Sequence, residues 1–402
     1  MQDTETDAPV EAQTPPEPPL VEVGTYPDHF YQEAQATFVI PKEPPRRSVR
    51  RSFFSPIGVV FISSLLMVAL VSFSLGASAM ASNGTNTQSA AAPQTSSSSM
   101  SSMTDSTTQA TPSNVPNATQ EYGGQPATYA VDPDGAKHFT FTAKQVMWEV
   151  VKGQRVLAWT IDGTVPGPTI EVTVGDHVRI TLHNQLPKAT AIHWHGLEVP
   201  SNQDGVPGMG GMQPIQSGQT YTYDFTINND DIGTHWYHSH YDDIEQQGGG
   251  LYGAFLVDPL PGTPQAAQAI KADVTYNEFV GMLGSYYVLN GKSYPDTQPI
   301  LVKHGQTVHL RLFGADTVMT HPMHLHGGFF SLVAEDGHLL PQPQQLDTVA
   351  VMPGGTYDIT FYAWGAPGSD YLFHCHILSH LMNPGQTGDD MGGLLALVEY
   401  AK

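Results

Sequence analysis

The second half of this chain repeats the first. Gly175-Asp176-His177-Val178-Arg179-Ile180-Thr181-Leu182 returns as Gly305-Gln306-Thr307-Val308-His309-Leu310-Arg311-Leu312, and Ile192-His193-Trp194-His195-Gly196 returns as Met323-His324-Leu325-His326-Gly327. Gly218-Gln219-Thr220-Tyr221 resembles Gly355-Thr356-Tyr357, and Tyr237-His238-Ser239-His240 matches Phe373-His374-Cys375-His376. The order is kept and the offset stays between 130 and 136 residues. Two copies of one domain follow. Within each copy the apolar residues alternate: Val178, Ile180 and Leu182 in one, Val308, Leu310 and Leu312 in the other. That is the period of a half-buried strand. Asn290-Gly291 between apolar runs predicts a hairpin turn. No amphipathic helix pattern appears after residue 80, so the ordered part is expected to be all-β, in sandwich-like units. The two copies cover residues 127–262 and 263–402, joined where Pro259–Ala272 loses the strand pattern.

The first 126 residues read differently. Residues 1–52 are rich in Pro, Glu and Thr without an apolar period, which predicts a disordered tail. Residues 53–80 contain the nearly uncharged run Ile57 to Ala79, 23 residues long, enough for a membrane-spanning helix. Arg46, Arg47, Arg50 and Arg51 precede it, which puts the tail in the cytoplasm and everything after it outside. Ala77-Ser78-Ala79 also resembles a signal-peptidase site, but the long leader favours an uncleaved single-pass anchor in the cell membrane. Residues 81–126, mostly Ser, Thr, Ala, Gln and Asn, predict a flexible tether. With 38 Asp and Glu against 16 Lys and Arg, nucleic acid is not an expected partner.

Ten of the 18 histidines fall in four clusters: His193 and His195; His238 and His240; His321, His324 and His326; His374, His376 and His380. The one cysteine, Cys375, stands between two of them, so it forms no intramolecular disulfide and has the company of a metal ligand. Comparing the copies separates two kinds of site. Cys375 corresponds to Ser239, His321 to Thr190, and His380 falls opposite Ile244, whereas the H-x-H pairs occur twice. Cys375, His321 and His380 form the thiolate-plus-two-imidazole set of a mononuclear blue-copper centre, for which Met391 is the expected axial thioether and Met382 the competitor. Residues two apart in a strand share a face, so His374 and His376 point away from Cys375. With His193, His195, His238, His240, His324 and His326 they make eight imidazoles, too many for one ion. A zinc hydrolase would need three ligands, a water and a carboxylate base, and that arrangement is not apparent.

His193-Trp194-His195-Gly196, His238-Ser239-His240, His321-Pro322-Met323-His324-Leu325-His326-Gly327 and His374-Cys375-His376-Ile377-Leu378-Ser379-His380 resemble, in this order, the motifs of the multicopper oxidases, including laccases. The resemblance covers residues 127–402 and implies tandem cupredoxin-like Greek-key β-sandwiches. It implies four coppers per chain: type 1 at His321, Cys375, His380 and Met391; type 2 at His193 and His324; a type 3 pair at His195, His238, His240, His326, His374 and His376. Only two domains fit, as in the two-domain subclass with type 1 copper in the second domain, which implies a homotrimer sharing each cluster between subunits. The position where the axial methionine is usual holds Gly385, because Asn383–Asp390 reads as an insertion. Asp204 matches a family acid near the cluster and is the candidate proton relay, while Cys375, His374 and His376 would carry electrons.

The expected activity is therefore an extracytoplasmic copper oxidase that takes single electrons from a reductant and reduces dioxygen to water. Phenols and aromatic amines are the default donors. Met209, Met212, Met319 and Met323 near the motifs make cuprous or another metal ion a rival. A copper nitrite reductase and a non-enzymatic copper-storage protein are the alternatives.

Overall fold

The computed structural model describes residues 114–387 and 390–402. The expected tail, the anchor and most of the tether lie outside them, and among the described residues no helix is long and apolar enough to cross a membrane.

The first domain has nine strands: β1 (Tyr129–Val131), β2 (Lys137–Val151), β3 (Gln154–Ile161), β4 (Ile170–Thr173), β5 (His177–Asn184), β6 (Ile192–His195), β7 (Thr220–Thr226), β8 (Gly233–Ser239) and β9 (Tyr252–Asp258). The second has eleven: β10 (Val274–Leu283), β11 (Tyr286–Leu289), β12 (Ile300–Val302), β13 (Thr307–Gly314), β14 (His321–Leu325), β15 (Phe330–Glu335), β16 (His338–Leu346), β17 (Thr348–Val351), β18 (Thr356–Tyr362), β19 (Asp370–Cys375) and β20 (Leu395–Tyr400). Among the described residues there are also two short α-helices, α1 (Asp243–Gln246) and α2 (Pro264–Gln268), and two 3-10 turns, Asn229–Asp231 and Leu378–Leu381; α2 lies in the predicted joint and is capped by the Thr263 hydroxyl.

The sequence repeat is a topological repeat. In one sheet of each domain the first long strand runs parallel to a second that is antiparallel to a third: β2, β5 and β7, then β10, β13 and β18. The facing sheets are β4-β9-β8-β6 and β12-β20-β19-β14, the latter extended by β17. Each sandwich encloses its own apolar core. Val178, Ile180, Leu182 and Trp194 lie in the first, and Val308, Leu310, Leu312 and Phe373 in the second. The predicted turn is present: Asn290 and Gly291 both have positive φ, and Leu289 pairs with Lys292 across them.

Two expectations change. Strand β13 is buried along most of both faces, not one. Its Phe313 faces a third core between the domains, with Trp148, Trp236, Tyr252 and Phe279. There Phe279 stacks on Phe313 at 4.3 Å and on Tyr252 at 5.0 Å, and the Trp148 indole donates to the Gly291 carbonyl at 2.7 Å. An interface this apolar joins the sandwiches as one body. Residues 114–126, placed by composition in the tether, form a strap along the first domain. Asn117 and Met147 form a parallel bridge in which Met147 donates to Pro116 and Ala118 to Met147, and Ala127 donates to Thr169. Polar composition did not prevent ordering because backbone groups found partners at the sheet edge.

Candidate metal centres

Cross-strand register brings the ligands together. In the first domain His193 stands opposite His238, and Ile192 opposite Ser239. In the second, His324 stands opposite His374, and Met323 opposite Cys375. His193 lies 5.5–5.6 Å, ring to ring, from His195, His238 and His240. His324 lies 5.0–5.7 Å from His326, His374 and His376. These are two quartets, and among the described residues no ring contact joins one to the other.

The imidazoles are oriented by their own backbone. The Nδ1 of His193 donates to the Asp204 carbonyl at 2.9 Å, and those of His238, His324 and His374 donate to the carbonyls of Ser239, Asp347 and Cys375 at 2.8 Å. A carbonyl only accepts, so each contact places the proton on Nδ1 and leaves Nε2 bare for a metal. The Asp204 carboxylate lies 3.4 Å from the same His193 nitrogen. Gly205 makes this approach possible: a Cβ there would sit 1.7 Å from the Ile192 carbonyl oxygen.

Burial keeps several rings neutral. It pulls His195 down to about 4 and His238 to about 3, and lowers His326, His374 and His380 as well. These folded-state values lie below the unfolded value near 6.5. The unfolded chain therefore binds more protons below that pH, and the stability present above about pH 6.5 is lost as pH falls toward 4 and then 3. The melting temperature of the metal-free protein should fall steadily over that window. A flat profile would contradict the burial of these rings.

The third group is His321, Cys375 and His380, whose ligand atoms lie within 4.8 Å of one another. Sγ of Cys375 is 3.8 Å from His321 Nδ1 and 3.5 Å from His380 Nδ1, and all three side chains are buried. His321 donates its Nε2 proton to Asp316 at 2.9 Å, which leaves Nδ1 bare. Burial would raise the Asp316 carboxyl, but hydrogen bonds from His321, Met319 and Val318 hold it below the ordinary carboxylate range. Sequence reasoning missed Asp316; its only signal was an acid five residues ahead of the first ligand. Burial pushes the Cys375 thiol up to about 11, so a metal entering this site must displace its proton. Met391 is 45% exposed at the end of the insertion, whereas the trio is buried. The backbone there is tied down, Gly392 donating to the Leu381 carbonyl and Gly393 to the Asn383 side chain, so the chain returns to the fold only beyond Met391. Met382 is half-buried, and the first fully buried residue after the insertion that shares a core with Cys375 is Leu394.

The matching place in the first domain is filled rather than empty. Thr190 and Ser239 both donate to the Gln246 side-chain oxygen, at 2.7 and 2.8 Å, and its amide donates to the Ala189 carbonyl at 2.8 Å. All three side chains are fully buried. Spacing had set Ile244 against His380, but Ile244 is 79% exposed and Gln246, at the end of α1, takes the position. Gln246→Ala removes the Thr190 hydroxyl's acceptor and the Ala189 carbonyl's donor, while Ser239 keeps the Tyr241 carbonyl at 3.1 Å, and should destabilise the protein by on the order of 2 kcal/mol in thermal or denaturant unfolding.

A buried thiol with two imidazoles, beside imidazole quartets on neighbouring strands, suits copper's preference for soft sulfur and nitrogen donors. Comparison with known proteins agrees. Multicopper oxidase family models match residues 142–262 and 260–384. The solved multicopper oxidase mgLAC is 33% identical, with a TM-score of 0.57 over 65% of this chain and 86% of that one. The chain belongs to the multicopper oxidases. The blue copper oxidase of Nitrosomonas europaea is 29% identical with a TM-score of 0.59, over 65% of this chain and 85% of that one. Laccase-15 of Oryza sativa subsp. japonica is 30% identical over 59% of this chain and 43% of its own length. The chain spans less than half the length of the curated relatives it matches. As a multicopper oxidase it takes copper as its metal, four ions being the family's complement. The residues fit: eight imidazoles in two quartets, and the buried sulfur trio.

Proposed function

We propose that this multicopper oxidase takes single electrons from a small organic reductant at the sulfur trio and reduces dioxygen to two waters at the imidazole cluster. One observation carries the reading: Cys375 belongs to the buried trio while His374 and His376, its covalent neighbours, belong to a quartet. Copper bound at these places supplies one-electron transfer at the trio and four-electron reduction at the cluster.

The chain's own residues then have distinct tasks. His321, Cys375 and His380 hold the single ion in a site closed to water, with Asp316 fixing the His321 ring. Met391 is the proposed thioether donor, with Met382 as its competitor. The peptide links from Cys375 to His374 and His376 give two short covalent routes between the sites. Asp204 is the proposed proton relay, since its carboxylate reaches His193. Asp204→Asn should slow dioxygen reduction at least about tenfold while leaving oxidation of the donor in a single turnover unchanged. Equal effects on both half-reactions would remove Asp204 from that role.

The two quartets are apart within one chain, and His326 and His376 are exposed. We therefore propose a homotrimer in which the first-domain quartet of one chain meets the second-domain quartet of its neighbour. Residues 53–80 are the proposed single-pass anchor, with the domains outside the cell membrane. Of the four methionines near the motifs, Met212 and Met323 are buried in two different cores, Met319 is half-buried and Met209 is 58% exposed, so two of them offer no thioether to a metal ion arriving from solvent. That supports an organic donor over cuprous ion. Eight imidazoles in addition to the trio exceed what a nitrite reductase requires. The test is metal analysis with absorption spectra and oxygen uptake on copper-loaded protein. Four coppers per chain, a blue band and uptake with phenols support the reading. Two coppers and turnover of nitrite alone would replace it.

A further inference from the structure

We infer that Tyr287 is the platform on which an aromatic donor seats beside the sulfur trio, an inference that rests on the oxidase reading above. The two imidazoles of the trio are closed to solvent: His321 is 0% and His380 3% exposed. A donor cannot lie directly on either ring as the site stands. Tyr287, on β11, is the aromatic residue against both. Its ring is parallel to His380 at 3.8 Å and 19°, and edge-on to His321 at 6.1 Å. It is itself only partly buried. It thus touches a ligand of the trio and reaches the surface.

The flanking surface suits an uncharged ring. Leu378 and Ile377, just ahead of His380, are 73% and 36% exposed, and Val318, just ahead of His321, is 75% exposed. Segment 377–382, Ile377-Leu378-Ser379-His380-Leu381-Met382, carries no carboxylate, and the nearest acid of the trio, Asp316, is buried and committed to His321. A hydrated metal ion prefers carboxylate oxygens, and segment 377–382 offers it none. A phenol requires apolar contact and a ring to stack against. The donor class that fits is a neutral or weakly polar phenol. On oxidation it loses one electron to the copper of the trio and its hydroxyl proton to solvent, leaving a phenoxyl radical.

The test compares Tyr287→Leu and Tyr287→Phe with the unsubstituted, copper-loaded full chain. A redox-inert phenyl ether is titrated by NMR for equilibrium binding, and KM is measured for a methoxyphenol and for ferrous ion. Tyr287→Leu should weaken ether binding and raise the phenol KM about tenfold, the upper range for one ring–ring contact. The blue absorption should not move, the preference for ferrous ion over phenol should rise, and Tyr287→Phe should restore phenol binding. Unchanged ether binding in Tyr287→Leu would overturn the inference. So would an equal rise in KM for both donors with an altered blue band, since Tyr287 would then only brace His380. Tyr287-dependent ether binding in a protein that consumes no oxygen with any donor would uphold the platform and defeat the oxidase reading instead.

Discussion

Two inactive variants, His238→Ala and His374→Ala, should regain oxygen consumption when their chains are dissociated, mixed and reassembled. The first lacks a ring from the first-domain quartet, the second a ring from the second-domain quartet. Each alone spoils every cluster it takes part in. If clusters form between chains, a first domain from the His374→Ala chain can meet a second domain from the His238→Ala chain. That pairing has all eight imidazoles and an intact sulfur trio. Random assembly produces it at about one quarter of the shared clusters, so activity should return to roughly that fraction of the unsubstituted protein. A cluster built inside one chain predicts no recovery at all, whatever the mixing ratio. Melting curves of the two variants before mixing check that each is folded, since His238 is 7% and His374 6% exposed.

Cys375→Ser should remove the blue absorption and bring steady-state oxidation of every donor to background. Sulfur is the ligand that gives the trio its soft character, and serine offers an oxygen that stays protonated at neutral pH. The imidazole quartets do not contain this side chain, so metal analysis should still find the cluster ions. The fold should survive, because the first domain already accommodates Ser239 at the matching buried place. There, however, Gln246 meets the hydroxyl. Among the described residues no amide meets position 375, where the contacts are the His321 and His380 rings at 3.8 and 3.5 Å from sulfur, so a poorly met hydroxyl should cost about 1 kcal/mol in the metal-free protein. A blue, active Cys375→Ser protein would refute the assignment of the trio.

Much of this site was legible before the fold. The H-x-H spacing settled which imidazoles share a strand face, and the repeat told the sulfur trio from the quartets, because Thr190 and Ser239 replace two of its members. What spacing could not tell was how neighbouring chain segments fill gaps. Gln246 lies two residues beyond the position that counting selects, and only the turn of α1 brings it inward. Asp316 acts across a bend, with its backbone neighbours Val318 and Met319 also donating to it. Met391 is a different case: it stands at the exposed end of an insertion, where residue type alone does not fix a position in space. The ordered strap at 114–126 and the buried second face of β13 depend on contacts between segments far apart in the chain, which local pattern does not encode.

The stacked rings of Tyr252, Phe279 and Phe313 fasten the sandwiches to each other. A chain fastened in this way holds its two sandwiches at one angle. In the homotrimer proposed above, that angle would fix how many neighbours close the circle. Dilution of such an assembly should alter how many closed circles exist, not how many chains each contains, and catalysis should vanish in proportion as they open.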